Sequence, residues 1–79
     1  MREIDDTAVM SFIDIGETYP DEYTLVKIVE LDHSRGVETG VVLRASNSRE
    51  ALAPFFRQGG PSVVIIQGDN LQPVLGGLL

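Results

Sequence analysis

Few residues in this chain have the types that do chemistry. The single histidine, His33, stands between Asp32 and Ser34. An imidazole beside a carboxylate and a hydroxyl is the raw material of a general base or a metal ligand. A catalytic unit needs nucleophile, base and orienting group converging in space. Consecutive residues in a polar, turn-forming stretch do not converge, so His33 reads as a solvent-exposed loop residue. Asp5-Asp6 and Asp21-Glu22 pair carboxylates that could hold a cation weakly. A calcium loop spaces its oxygen ligands over about twelve residues, and no stretch here does so. Both pairs read as solvated acidic turns.

Ile13-Asp14-Ile15-Gly16 shares an Asp and a Gly with the Asp-Thr/Ser-Gly loop of aspartic proteases. Those sites need two carboxylates sharing a proton. Here Ile15 takes the place of the supporting hydroxyl residue. A small hydrolase using Asp14 or His33 is therefore the weaker alternative, since no second catalytic group is placed. Gly59-Gly60-Pro61 precedes an apolar run and lacks the Lys and following helix of a phosphate-binding loop, so it reads as a turn. No catalytic residue, metal site or cofactor is expected, and the chain is not expected to be an enzyme.

The elements that must position these residues belong to one domain spanning residues 1–79. At 79 residues there is little room for a second core. Hydrophobic residues make up 43% of the chain, enough for a folded domain. There is no Trp, so Val, Ile and Leu must supply the core; there is no Cys, so disulfides and thiolate metal sites are excluded. The net charge of −6, with only six Lys and Arg, argues against nucleic-acid partners and against anionic membranes. No apolar segment reaches the roughly 18 to 20 residues that span a bilayer. Met1 to Asp6 lacks an apolar signal region, and the cytoplasm is the expected compartment.

The fold class expected is α+β, in the order α-β-β-α-β with an apolar C-terminal tail. Asp5-Asp6-Thr7 can open a helix that places Val9, Phe12 and Ile13 on one face and ends at Gly16; a short strand over Ser11 to Ile15 is the competing reading. Pro20 breaks the chain. Tyr23 to Leu31 reads as a strand with Tyr23, Leu25, Val29 and Leu31 on one face, Lys27 among them, and Thr24, Val26, Ile28 and Glu30 on the other. Both faces carry apolar residues, which implies a central strand or one covered on both sides. Asp32 to Gly36 is turn chemistry, and Val37 to Ala45 completes an antiparallel hairpin with Val41, Leu43 and Ala45 on one face. Gly40 within that strand marks a bulge or a close backbone approach. Asn47 and Glu50 fit a capping box for a helix whose stripe is Ala51, Leu52, Phe55 and Phe56, shortened or kinked at Pro54. Val63-Val64-Ile65-Ile66 reads as a buried central strand.

Several of these segments together resemble a family of small uncharacterised bacterial proteins. The resemblance rests on Ile13 to Gly16, Tyr19-Pro20-Asp21-Glu22-Tyr23, Leu25-Val26, Glu30 to Asp32, Gly40 to Ser46, the helix from Arg49, and Gly68-Asp69 ahead of an apolar end. It covers roughly residues 12 to 79. Tyr23 stands where such chains usually carry Trp, and Gln67 where they often carry a hydroxyl residue. The resemblance implies no established activity. Some similar proteins are encoded beside retropepsin-like or toxin-like partners, which implies an antitoxin-like or accessory role.

The expected function is a non-enzymatic protein–protein interaction module that self-associates. Val74, Leu75, Leu78 and Leu79 are the candidate partner-binding residues, together with an uncovered sheet edge. Those apolar residues have three destinations: the domain's own core, a second copy, or another protein. A small domain without disulfides gains from the extra burial. An acidic antitoxin-like partner for a basic protein surface is the alternative.

Overall fold

A computed structural model describes residues 1–5 and 7–71. The chain is an α+β domain in which one antiparallel sheet carries a helix on each face. Its elements are β1 (Arg2–Glu3), β2 (Met10–Ser11), α1 (Phe12–Thr18), β3 (Tyr23–Asp32), β4 (Val37–Ser46), α2 (Arg49–Gly59), a 3-10 turn (Gly60–Ser62) and β5 (Val63–Gln67). β4 and β3 form the long hairpin. β5 adds to the other side of β3, and both β1 and β2 pair with the outer side of β4.

β3 is therefore the central strand. Its odd and even residues feed two separate cores. Val26 meets Ile15 and Val42 on the α1 face, with Phe12, Tyr19, Val64 and Ile66 packed around them. Leu25 meets Leu52 and Val63 on the α2 face, with Tyr23, Leu43, Phe55 and Ile65 beside them. Ile15, Val26 and Leu52 are fully buried. The cover expected on both faces of this strand is present over Tyr23 to Val26. It fails beyond, where Val29 and Leu31 are 55% and 45% exposed. A register shift between Ile28 and Glu30 leaves Val29 without a paired residue on β4.

A second shift lies opposite Leu25 and Val26, which pair with Arg44 and Val42 and leave Leu43 bulged. It overturns the expected face of Val41, Leu43 and Ala45. Ala45 pairs with Thr24 and so shares the α1 face, while Leu43 packs in the α2 core. Gly40 matches the expectation of a close approach: a Cβ there would lie 2.6 Å from the Lys27 carbonyl oxygen. The turn also matches. Asp32 Oδ1 accepts from the Ser34 hydroxyl at 2.7 Å and from the Ser34 and Arg35 N–H groups, and Gly36 takes a φ of 68°.

The N-terminal third differs from expectation. The helix does not start at Asp5-Asp6-Thr7, where Asp6 itself lies outside the described residues. Met10 and Ser11 pair with Gly40 and Thr39 instead. The helix begins at Phe12, with the Ser11 Oγ accepting from the Asp14 N–H at 3.1 Å as its cap. Val9 and Ile13 are consequently exposed, at 56% and 74%, and Ile15 turns inward. Gly16 is not a cap but a buried helical residue. Tyr19 ends the helix just before Pro20.

Two further expectations are corrected. Asn47 does not cap α2; Ser48 holds the position without a side-chain bond, its N–H going to the Ser46 Oγ. The helix runs through Pro54, which is exposed, as is Glu50, whose carbonyl loses its helical donor. Phe56 leaves the buried stripe and is 42% exposed. Among the described residues Val63 to Gln67 is an edge strand rather than a central one. Its apolar run reflects cover on both faces, not strands on both sides.

The Tyr19–Tyr23 motif finds its partner at Gly68-Asp69-Asn70. The Gly68 N–H donates to the Glu22 carbonyl at 3.0 Å, Asp69 N–H to Gly16 at 3.1 Å and Asn70 N–H to Pro20 at 2.8 Å. The Asn70 amide also donates to the Asp21 carboxylate at 3.0 Å, and Glu22 forms an ion pair with Arg2. A Cβ on Gly68 would lie 2.6 Å from both the carbon and the oxygen of the Pro20 carbonyl. The corner closes only because that side chain is missing.

Substituting Gly68→Ala is expected to cost about 1–3 kcal/mol, since backbone rather than a flexible side chain must yield. Gly36→Ala meets nothing within 4 Å and should cost only about 1 kcal/mol, from its positive φ. Leu52→Ala should cost about 2–5 kcal/mol. Urea unfolding of the three variants checks the order.

Candidate interaction surface

The surface is built around β5. Val63 to Val64-Ile65-Ile66-Gln67 pairs with Lys27 back to Tyr23, without a register shift. The Gly68-to-Glu22 bond continues this ladder by one step. Antiparallel ladders alternate between pairs that exchange backbone bonds and pairs that do not. Val64 and Ile66 are thus the residues bonded inward, and the Thr24 hydroxyl also donates to the Ile66 carbonyl at 3.3 Å. Val63, Ile65 and Gln67 direct their N–H and C=O groups to the opposite side. No strand among the described residues lies there.

Beside this edge, on the α2 face, runs an open groove of about 430 Å³ lined by Arg49, Glu50, Ala53, Phe56 and Ile65. Its floor is apolar through Ala53, Phe56 and Ile65, and its rim carries both charge signs. Above it α2 packs against β3, β4 and β5. At its upper end the Gln67 side chain donates to the Leu71 carbonyl. Val74, Leu75, Leu78 and Leu79, the partner-binding residues expected from sequence, lie outside the described residues.

A second cavity, of about 420 Å³, lies at the opposite side of α2 between Ile4, Leu43, Phe55 and Val63. Arg44 crosses it, 4.1 Å above the Phe55 ring and 3.1 Å from a Glu3 carboxylate oxygen. The guanidinium is thus occupied on two sides by the protein's own groups.

The residues considered for catalysis are not assembled. Asp14 is exposed on the first turn of α1, and its motif is helical rather than a loop. His33 is exposed at the hairpin tip, on the turn held by Asp32. No cluster of three or more His, Cys, Asp or Glu among the described residues could hold a metal. None of the described helices is long and apolar enough to cross a membrane. Sequence reading missed the β5 edge position, the charges on the groove rim and the docking of Gly68 on Pro20.

The chain matches no protein-family model, no curated protein and no solved structure.

The hairpin turn gives a pH-dependent test. The Ser34 hydroxyl is the chief cause that holds the Asp32 carboxyl below its ordinary value; desolvation is the next largest effect and opposes it, and the backbone and guanidinium of Arg35 and the Ser34 N–H add to the lowering. A depressed folded-state pKa means the stabilisation is complete above the unfolded aspartate value and is lost as pH falls through the folded one. NMR titration should place the Asp32 midpoint below that of an unfolded aspartate, and Asp32→Asn should remove this acid-dependent part of stability.

Proposed function

We propose that this chain is a non-enzymatic protein-interaction module that self-associates. Its contact surface is the outer edge of β5, the groove between β5 and α2, and the apolar residues Val74, Leu75, Leu78 and Leu79 that follow. The proposed setting is the cytoplasm, in keeping with the acidic composition.

One observation carries the reading. Edge strands in proteins that stay apart are guarded by Lys, Pro, bulges or short length, because outward N–H and C=O groups template further pairing. β5 has none of the first three over Val63 to Gln67, and its ladder with β3 is regular. Phe56 adds an exposed aromatic beside it, and aromatics are enriched where interfaces form. The opposite side of the sheet is managed differently: two short strands, β1 and β2, cover β4.

Light scattering after size exclusion tests the reading. The expected mass exceeds that of one chain and rises with concentration. Replacing Val74, Leu75, Leu78 and Leu79 together by Ser should shift the population toward the single chain by at least about tenfold in Kd, given about 1.4 kcal/mol per decade. An unchanged mass in that variant removes the four residues from the surface. A wild type that stays monomeric at every concentration overturns self-association.

A further inference from the structure

We propose that residues 1–5 form a salt-sensitive strap: two ion pairs latch β1 onto β4, and its release bares the β4 edge at Ala45 and opens the cavity between Ile4 and Phe55. The strap is independent of the self-association reading, whose contact lies at β5 on the other side of the sheet.

Few contacts hold the strap down. β1 is two residues long, both exposed, and pairs with β4 alone. Among residues 1–5, only Ile4 packs against a core cluster, the one around Val26. Two ion pairs add to this. The Arg2 guanidinium pairs with Glu22, and the Glu3 carboxylate with Arg44 at 3.1 Å. Each joins an exposed residue of the strap to a half-buried partner. Successive residues of a strand point to opposite faces, so the strap is gripped once from each face of the sheet. β2 is anchored otherwise. It runs directly into α1, whose Ile15 is fully buried. β1 can therefore lift while β2 stays, since local opening starts where buried apolar contacts are fewest.

The ladder defines what the strap covers. The Ile4 N–H donates to the Leu43 carbonyl at 3.0 Å. That bond flanks the pair Glu3 and Arg44. By the antiparallel alternation, Glu3 and Arg44 exchange no backbone bonds, and Arg2 and Ala45 exchange two. The Ala45 N–H and C=O thus point to the strap, whereas those of Arg44 point to Leu25 on β3. The two residues are neighbours on one strand, yet different partners guard their backbones. Ala45 is fully buried while the strap is down. Glu3, Ile4 and Asp5 also form one wall of the cavity of about 420 Å³, whose other walls include Leu43, Phe55 and Val63. Lifting the strap opens that apolar space beside the unpaired stretch of β4.

The charges keep the latch weak. Glu3 and Asp5 both line the cavity, and Arg44 is the one cation among its lining residues. Asp5 has no ion pair among the described residues. Exposed ion pairs contribute little and are screened by salt. Ionic strength therefore sets how often the strap lifts.

Amide hydrogen exchange of the full chain, read residue by residue by NMR, tests the strap. Ile4 and Ala45 should open together and be less protected than Arg44. Raising NaCl from about 0.05 M to about 1 M should lower the protection of Ile4 and Ala45 by about two- to fivefold and leave Arg44 unchanged. Glu3→Gln combined with Glu22→Gln removes both latches and alters neither core. That double variant should show the same loss at low salt and no further response to added salt, with far-UV circular dichroism unchanged. Ala45 protected as well as Arg44, or a double variant that exchanges like the wild type at low salt, overturns the strap. An equal fall in protection at Arg44 also overturns it, because salt would then be acting on the whole domain.

Discussion

Everything in this domain leans on β3. It is bonded to strands on both sides and covered by a helix on each face, and its alternating side chains divide the interior into two small cores. Val26 on one face and Leu25 on the other are adjacent in sequence yet belong to different packing units. Because a strand turns successive side chains to opposite faces, a one-residue shift of β3 would empty both cores together. A chain with no disulfide and little core volume thereby gains a strongly specified register. The two bulges act within that constraint. One lets Leu43 and Arg44 both serve the α2 face, and the other leaves Val29 without a paired residue on β4.

The corner joining Tyr19-Pro20-Asp21-Glu22 to Gly68-Asp69-Asn70 fixes where β5 ends, and so fixes the candidate surface. Backbone groups of the proline turn accept donors from the strand's exit, and Asn70 and Asp21 add a side-chain bond. β5 inherits its end point from this junction. The acidic residues of the motif are thus structural ligands as much as solvated charges: Asp21 accepts from Asn70 and Glu22 pairs with Arg2.

Local chemistry was legible in the sequence where a residue's effect is local. Asp32 to Gly36 gave the turn, Pro20 the break, Gly40 the close approach, and the two-faced apolar pattern of β3 its double cover. What escaped depends on which element sits beside which. Val63 to Ile66 is apolar because helices cover both its faces, and the same residues would serve a central strand equally well; only the pairing order makes it an edge. Met10 and Ser11 were drawn from a helix into a strand by the open side of β4, an influence about 30 residues away in the chain. The partner-binding residues expected at the end of the chain rest on composition alone, since Val74 to Leu79 lie outside the described residues.

The pairing order also has a temporal side. β3 and β4 are neighbours in sequence and can pair soon after synthesis, whereas β5 follows only after α2 has been made. During that interval the second side of β3 is itself an open edge, and the apolar halves of both cores lack their lid. Loop closure between β3 and β5, like that between β1 and β4, is non-local, and such steps are slower than closing the hairpin. A newly made chain is thus most prone to mispairing just before β5 docks, and Gly68 seating on Pro20 is the latch that ends this vulnerable period.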